Sequence, residues 1–107
     1  MSEKDAMRYL QDTLFVISGK WKLPILRAMS GGCNRFREIQ RSVLPITSRI
    51  LSKELKHLEE NKLIIRIVYE APLAVEYQIS KYTISLLPII EGMILWGKNH
   101  KKKISEK

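Results

Sequence analysis

Ser48, Arg49, Ser52, Lys53 and Lys56 lie at mutual steps of three and four, so on a helix their short hydroxyls and long cations share one face. Hydroxyls and cations presented together suit phosphate oxygens and the acceptor edges of bases. On the opposite side, Leu51, Leu55 and Leu58 have the spacing of one buried stripe. Thr47 or Ser48 can cap such a helix by accepting from one of its unpaired N–H groups, and the positive end they mark also attracts phosphate. The competing reading is a solvated face whose charge is partly balanced by Glu54, Glu59 and Glu60. Arg35 and Arg37 open a shorter segment upstream, where phosphate contact and plain solvation are equal readings. Lys20 and Lys22 flank Trp21, an aromatic assigned to the core rather than to a stacking site.

Other chemistries lack their residues. No nucleophile, base and orienting carboxylate can be grouped on one face, and no phosphate-cradling glycine loop is present, so no enzyme activity is expected. His57 and His100 have no companions at metal-ligand spacing, so neither a metal nor another cofactor is expected. One cysteine, Cys33, excludes an internal disulfide and a cysteine-based zinc cluster. It reads as a small thiol in a glycine-rich turn, with an intersubunit redox disulfide as the sharper alternative. The 107 residues make one domain. Nineteen Lys and Arg against eleven Asp and Glu leave a charge of +8, which favours a polyanionic partner, nucleic acid or an anionic membrane surface. The longest apolar runs, ISLLPII and MILW, fall far short of the roughly 20 residues a membrane span needs, and no signal-peptide pattern opens the chain. A cytosolic location is therefore expected.

The elements that must position the basic face follow from periodicity and punctuation. Met7, Leu10, Leu14 and Ile17 place a first helix over residues 6–18, stopped by Ser18-Gly19. KWKLPILRAMSGG reads as a second helix from Lys20 to Ser30, with Pro24 in its first turn and Gly31-Gly32 ending it. A short third helix starts after Asn34 as N-cap, turns Phe36 and Ile39 inward and ends before Pro45. The basic helix follows within a few residues. After Lys62 the period changes: LIIRIVYE and VEYQIS read as strands joined by the turn APLA. A long apolar helix over 82–99 and a basic tail over 101–107, expected to be disordered, close the chain.

Helix, helix, short helix, turn, longer helix with a basic face, hairpin and helix are the elements of a winged helix-turn-helix. The fold class is therefore α+β, mostly α, with a two-stranded β-hairpin wing. The last helix is apolar on too many sides to cover one small core. A second copy of the chain is the expected partner, met through Met7, Leu10 and Leu14 of the first helix and Leu87, Ile90 and Ile94 of the last. The terminal helices thus read as dimerisation helices.

The segments GKWKLPIL, RFREIQ, ILSKELKHLEENKLIIRIVY, VEYQIS and LLPIIEGMILWG, in this order from about Leu14 to Gly97, resemble the HxlR-type, MarR-like branch of bacterial winged-helix transcription regulators. The resemblance implies a homodimer on an inverted-repeat DNA operator, with Thr47 to Lys56 as the recognition face and Pro72 to Val75 as the wing tip. It implies no enzyme activity. A pocket between the dimer helices leaves room for a small-molecule effector, but no polar group is placed distinctively enough to name one. Three departures stand out. The cysteine that many members carry ahead of the first helix is absent, so redox sensing does not carry over. Ala74 stands where the family's wing arginine reaches toward DNA. Asn61-Lys62 replaces the usual Asp-Gly, a weaker turn signal that still allows a left-handed helix end at Asn61. The alternative reading is a winged-helix module that binds other proteins through the hairpin and last helix, with only nonspecific affinity for nucleic acid.

Overall fold

Ser2 starts the first helix. In the computed structural model, which describes residues 1–106, its hydroxyl accepts from the Asp5 N–H at 3.1 Å, and Glu3 and Asp5 suit the positive end of the helix dipole. Helix α1 therefore runs Glu3–Ile17, starting three residues before the expected residue 6. Helix α2 (Lys22–Ser30) carries Pro24 in its first turn. It ends in a Schellman motif: Cys33 N–H donates to the Ala28 carbonyl at 3.1 Å and Gly32 N–H to that of Met29 at 3.1 Å. Gly32 has φ +110°, a backbone that a side chain would strain.

Helix α3 (Phe36–Ser42) has Arg35, not Asn34, as its N-cap. Glu38 supplies the capping acceptor, its Oε1 receiving the N–H groups of Arg35 at 3.0 Å and Asn34 at 3.3 Å. Asn34 is used in a tertiary role: its carbonyl accepts from Tyr77 N–H at 2.8 Å, and its amide donates to Glu76 Oε2 at 3.4 Å. These bonds dock the base of the hairpin onto the loop before α3.

Helix α4 (Ser48–Glu60) is capped by Thr47, whose hydroxyl accepts from Ile50 N–H at 3.2 Å. Its C-terminus is a second Schellman motif, with Leu63 N–H donating to Leu58 and Lys62 N–H to Glu59. The left-handed residue is Lys62, at φ +64°, while Asn61 stays at φ −88°. The expected position is thus corrected by one: Asn61 is still close to helical and spends its amide on the His57 carbonyl at 2.9 Å, so the reversal falls on the next residue.

Strands β1 (Ile64–Glu70) and β2 (Leu73–Ile79) pair antiparallel, Ile64 opposite Ile79 through Glu70 opposite Leu73. The turn is therefore Ala71-Pro72 alone. Leu73, Ala74 and Val75, expected at the wing tip, belong to β2, because the pairing continues to the last residues before the turn.

A 3-10 segment, Lys81–Leu86, leads into helix α5 (Leu87–Ser105). Thr83, the buried polar residue of this segment, donates its hydroxyl to the Leu63 carbonyl at 2.7 Å. Two expectations are corrected. The long helix starts at Leu87 rather than Tyr82, and it runs six residues past Asn99, so Lys101–Ser105 are helical rather than a disordered tail. After Gly97 no glycine or proline interrupts KNHKKKIS, and lysine is a good helix former near a C-terminal dipole. Lys107 lies outside the described residues.

The core is assembled from Ile25, Leu26 and Met29 of α2, Ile39 and Val43 around α3, Leu51, Leu55 and Leu58 of α4, and Leu63, Ile64 and Ile90. Ile90 is only 4% exposed and Leu87 packs against this cluster, so these two members of the expected dimer face serve the chain's own core. Ile94 and the α1 residues Met7, Leu10 and Leu14 are about half exposed and remain available, beside Met93 and Trp96.

Candidate nucleic-acid interface

The core determines which side of α4 is free. Leu51, Leu55 and Leu58 are at most 1% exposed, so the helix cannot turn about its axis without uncovering them, at about 1.5–3 kcal/mol for each side chain. Ser48, Arg49, Ser52, Lys53 and Lys56 are then all exposed on the opposite side. Among the described residues, Arg49, Lys53 and Lys56 have no acidic partner within ion-pair distance.

The turn before α4 is held by Gln40, whose amide donates to the Ile46 carbonyl at 3.2 Å and to Ser48 Oγ at 3.1 Å. Ser48 therefore arrives with two bonds already made, its Oγ accepting from the Gln40 amide and donating to Gln40 Oε1 at 3.4 Å, and the Thr47 hydroxyl is engaged in capping. A hydroxyl has two lone pairs and one proton, so Thr47 keeps its proton for a phosphate or base acceptor, while Ser48 keeps one lone pair and can donate outward by releasing Gln40 Oε1. The open N-terminus of α4 adds unpaired N–H groups to the same corner.

The remaining predicted site residues divide. Arg37 is exposed and free of an acidic partner among the described residues. Arg35 is turned to the wing, its guanidinium donating to Glu76 Oε1 at 3.4 Å while half of the side chain stays exposed. Ala74 sits half-buried opposite Tyr69 within the hairpin. Beyond Arg66 the wing carries no cation; its tip is Glu70, Ala71, Pro72 and the exposed Leu73. The structure thus brings the α4 residues and Arg37 to exposed positions, leaves Arg35 partly engaged, and leaves Ala74 without a polar group to offer.

Sequence reasoning missed one contact that helps define the site. Lys22 Nζ, at the first position of α2, lies 2.8 Å from Glu54 Oε2 of α4, with the two side chains only 13% and 14% exposed. The partners are 32 residues apart, and no periodic signal links them. Cys33 is half-buried with Sγ 3.2 Å from Ser42 Oγ, on the wall of an open groove between α2 and α5. No group of three potential metal ligands occurs among the described residues, and none of the described helices is long and apolar enough to cross a membrane.

Comparison with known proteins agrees with the fold. Residues 16–105 match the model of the HxlR-like helix-turn-helix family. The HTH-type transcriptional regulator YtcD of Bacillus subtilis is 38% identical over 105 residues, covering 97% of this chain and 83% of that protein. The solved structure of the redox regulator HypR in its reduced form aligns with TM-score 0.82 at 35% identity, over 90% of this chain and 96% of that one. A MarR-family transcriptional regulator from Enterococcus faecalis V583 aligns with TM-score 0.77 at 25% identity, over 98% and 94%.

Proposed function

The chain belongs to the HxlR-like helix-turn-helix family, and from that premise we propose that it acts as a homodimer that recognises an inverted-repeat operator through the exposed face of α4. Its family and relatives are transcriptional regulators, not enzymes, and the family implies DNA as a partner. In this reading the chain is one winged helix-turn-helix domain with dimerisation helices at both ends, working in the cytoplasm. Arg49, Ser52, Lys53 and Lys56 meet base edges and phosphates in the major groove, Thr47 and Ser48 lie at the helix end beside the backbone, and Arg37 adds a phosphate contact. Arg35 joins them only if it leaves Glu76.

The observation that carries the reading is the pair of faces on α4: buried leucines fix the helix, and three cations without acidic partners stand opposite among the described residues. A helix with its side chains is about 10–12 Å across and fits a major groove about 12 Å wide. Dimerisation supplies the second half-site. Met7, Leu10 and Leu14 on α1 and Met93, Ile94 and Trp96 on α5 are large, apolar and exposed, and a two-fold contact would hide them. Such a dimer would set two recognition helices about 34 Å apart, one turn of DNA.

Selection of binding sites from random duplex DNA, followed by titration of the best site and a scrambled duplex at two salt concentrations, tests this. A two-fold-symmetric site with a large specificity ratio is expected, together with a dimer mass by light scattering. Equal, steeply salt-dependent binding to both duplexes would reduce the DNA contact to nonspecific charge attraction. It would favour the protein-interaction reading, which the cation-free wing tip with its exposed Leu73 supports.

A further inference from the structure

Lys22 occupies an unfavourable place within its own helix. It is the first residue of α2, at the positive end of the dipole, in a first turn that has no acidic residue and no side-chain cap. Its ammonium is also largely withdrawn from water, which costs solvation. Both penalties are offset by Glu54, whose carboxylate lies 2.8 Å from the ammonium.

Glu54 is equally out of place on α4. The other two carboxylates of that helix, Glu59 and Glu60, lie exposed in its last turn, whereas Glu54 follows Lys53 directly in mid-helix. It projects from the flank between the buried leucine stripe and the cationic face. When a helix fills a groove of nearly its own width, its flanks lie beside the phosphate walls. A free carboxylate there would repel the backbone that Arg49, Lys53 and Lys56 attract.

We propose that Lys22 is a positioning residue for DNA binding: it draws Glu54 against the start of α2 and neutralises it, so that the flank of α4 can approach the phosphates. The inference rests on α4 being the groove helix. Lys22 touches no DNA in this account and acts only through Glu54, which makes the two halves of the pair unequal. Removing the lysine exposes a repelling charge; removing the carboxylate exposes none.

The test uses the full chain in four variants, Lys22→Met, Glu54→Gln, the double variant and Arg49→Ala. Each is titrated with the selected operator and a scrambled duplex over a salt series, with folding checked by circular dichroism at the same temperature. Lys22→Met is expected to weaken binding to both duplexes about fivefold, and to flatten the slope of log affinity against log salt by about one. Glu54→Gln should bind at least as tightly as the parent, and the double variant should recover the parent affinity and slope. Equal losses in both single variants, with no recovery in the double, would assign the pair a purely structural role and overturn the proposal. If Lys22→Met does not fold, Glu54→Gln decides alone: parental or tighter binding supports the account and weaker binding refutes it. If Arg49→Ala binds the operator as the parent does, the α4 reading has failed; if Arg49→Ala weakens binding while Lys22→Met does not, only the role of Lys22 has failed.

Discussion

Replacing Lys62 by glycine should stabilise the protein. Lys62 is the non-glycine residue with positive φ among the described residues, at +64°, and it joins α4 to the first strand of the wing. For an L-residue that conformation costs about 1–2 kcal/mol, which glycine does not incur. Glycine also gives the unfolded chain more freedom, an opposing effect of about 0.4–1 kcal/mol. The difference leaves a gain of about 0.5–1 kcal/mol, or about 2–4 °C in Tm for a domain of this size. The Schellman bonds at 3.0 and 2.9 Å use the backbone of Lys62 and Leu63, so the substitution leaves them intact. Thermal unfolding followed by circular dichroism at fixed protein concentration measures the shift; the concentration is held because a dimer's Tm depends on it. Asn61→Gly is the control: at φ −88° it relieves no strain and loses the side-chain bond to the His57 carbonyl, so its Tm should fall. A lower Tm for Lys62→Gly, or a higher one for Asn61→Gly, would refute the assignment of strain to Lys62.

Arg49→Ala and Lys53→Ala should each cost about 1–3 kcal/mol of operator affinity where the side chain reads a base, while Arg37→Ala should weaken all duplexes alike and reduce the salt slope by about one; quantitative gel shifts over a salt series separate the two behaviours. Leu10→Glu with Met93→Glu should yield a folded monomer by light scattering, whereas Ile90→Ala should lower stability by about 2–5 kcal/mol, because Ile90 lies within the chain's own core. Finding Ile90→Ala fully stable but monomeric would return that residue to the interface. Leu55→Ala should destabilise by the same amount in urea unfolding, and a loss under about 1 kcal/mol would contradict the buried stripe that orients α4.

Periodic features are legible in the sequence. Leu51, Leu55 and Leu58 announce both the existence of α4 and the side it buries, because a 3.6-residue repeat is a property of consecutive residues. The switch to alternation after Lys62 announces the hairpin for the same reason, and Pro24 and Gly31-Gly32 mark the start and end of α2 through backbone rules that hold residue by residue. The cationic face of α4, and with it most of the candidate site, is likewise written in the spacing of Ser48, Arg49, Ser52, Lys53 and Lys56.

Contacts across the fold are not legible in this way. Asn34 has the character of a cap but serves as a tie to Tyr77 and Glu76, because Glu38 already meets the capping need and the hairpin returns to the loop from 42 residues away. Ile90 and Ile94 look alike in one dimension; only the packing of α5 on the core buries the first and leaves the second half exposed. The partnership of Lys22 with Glu54 depends on how α2 crosses α4, which no local pattern encodes. Sequence alone determined which elements form and which of their faces are apolar or charged, since those follow from neighbours along the chain. Tertiary structure decided which apolar faces find partners within the chain and which charges neutralise one another, since burial and short-range electrostatics depend on distances that only the assembled fold defines.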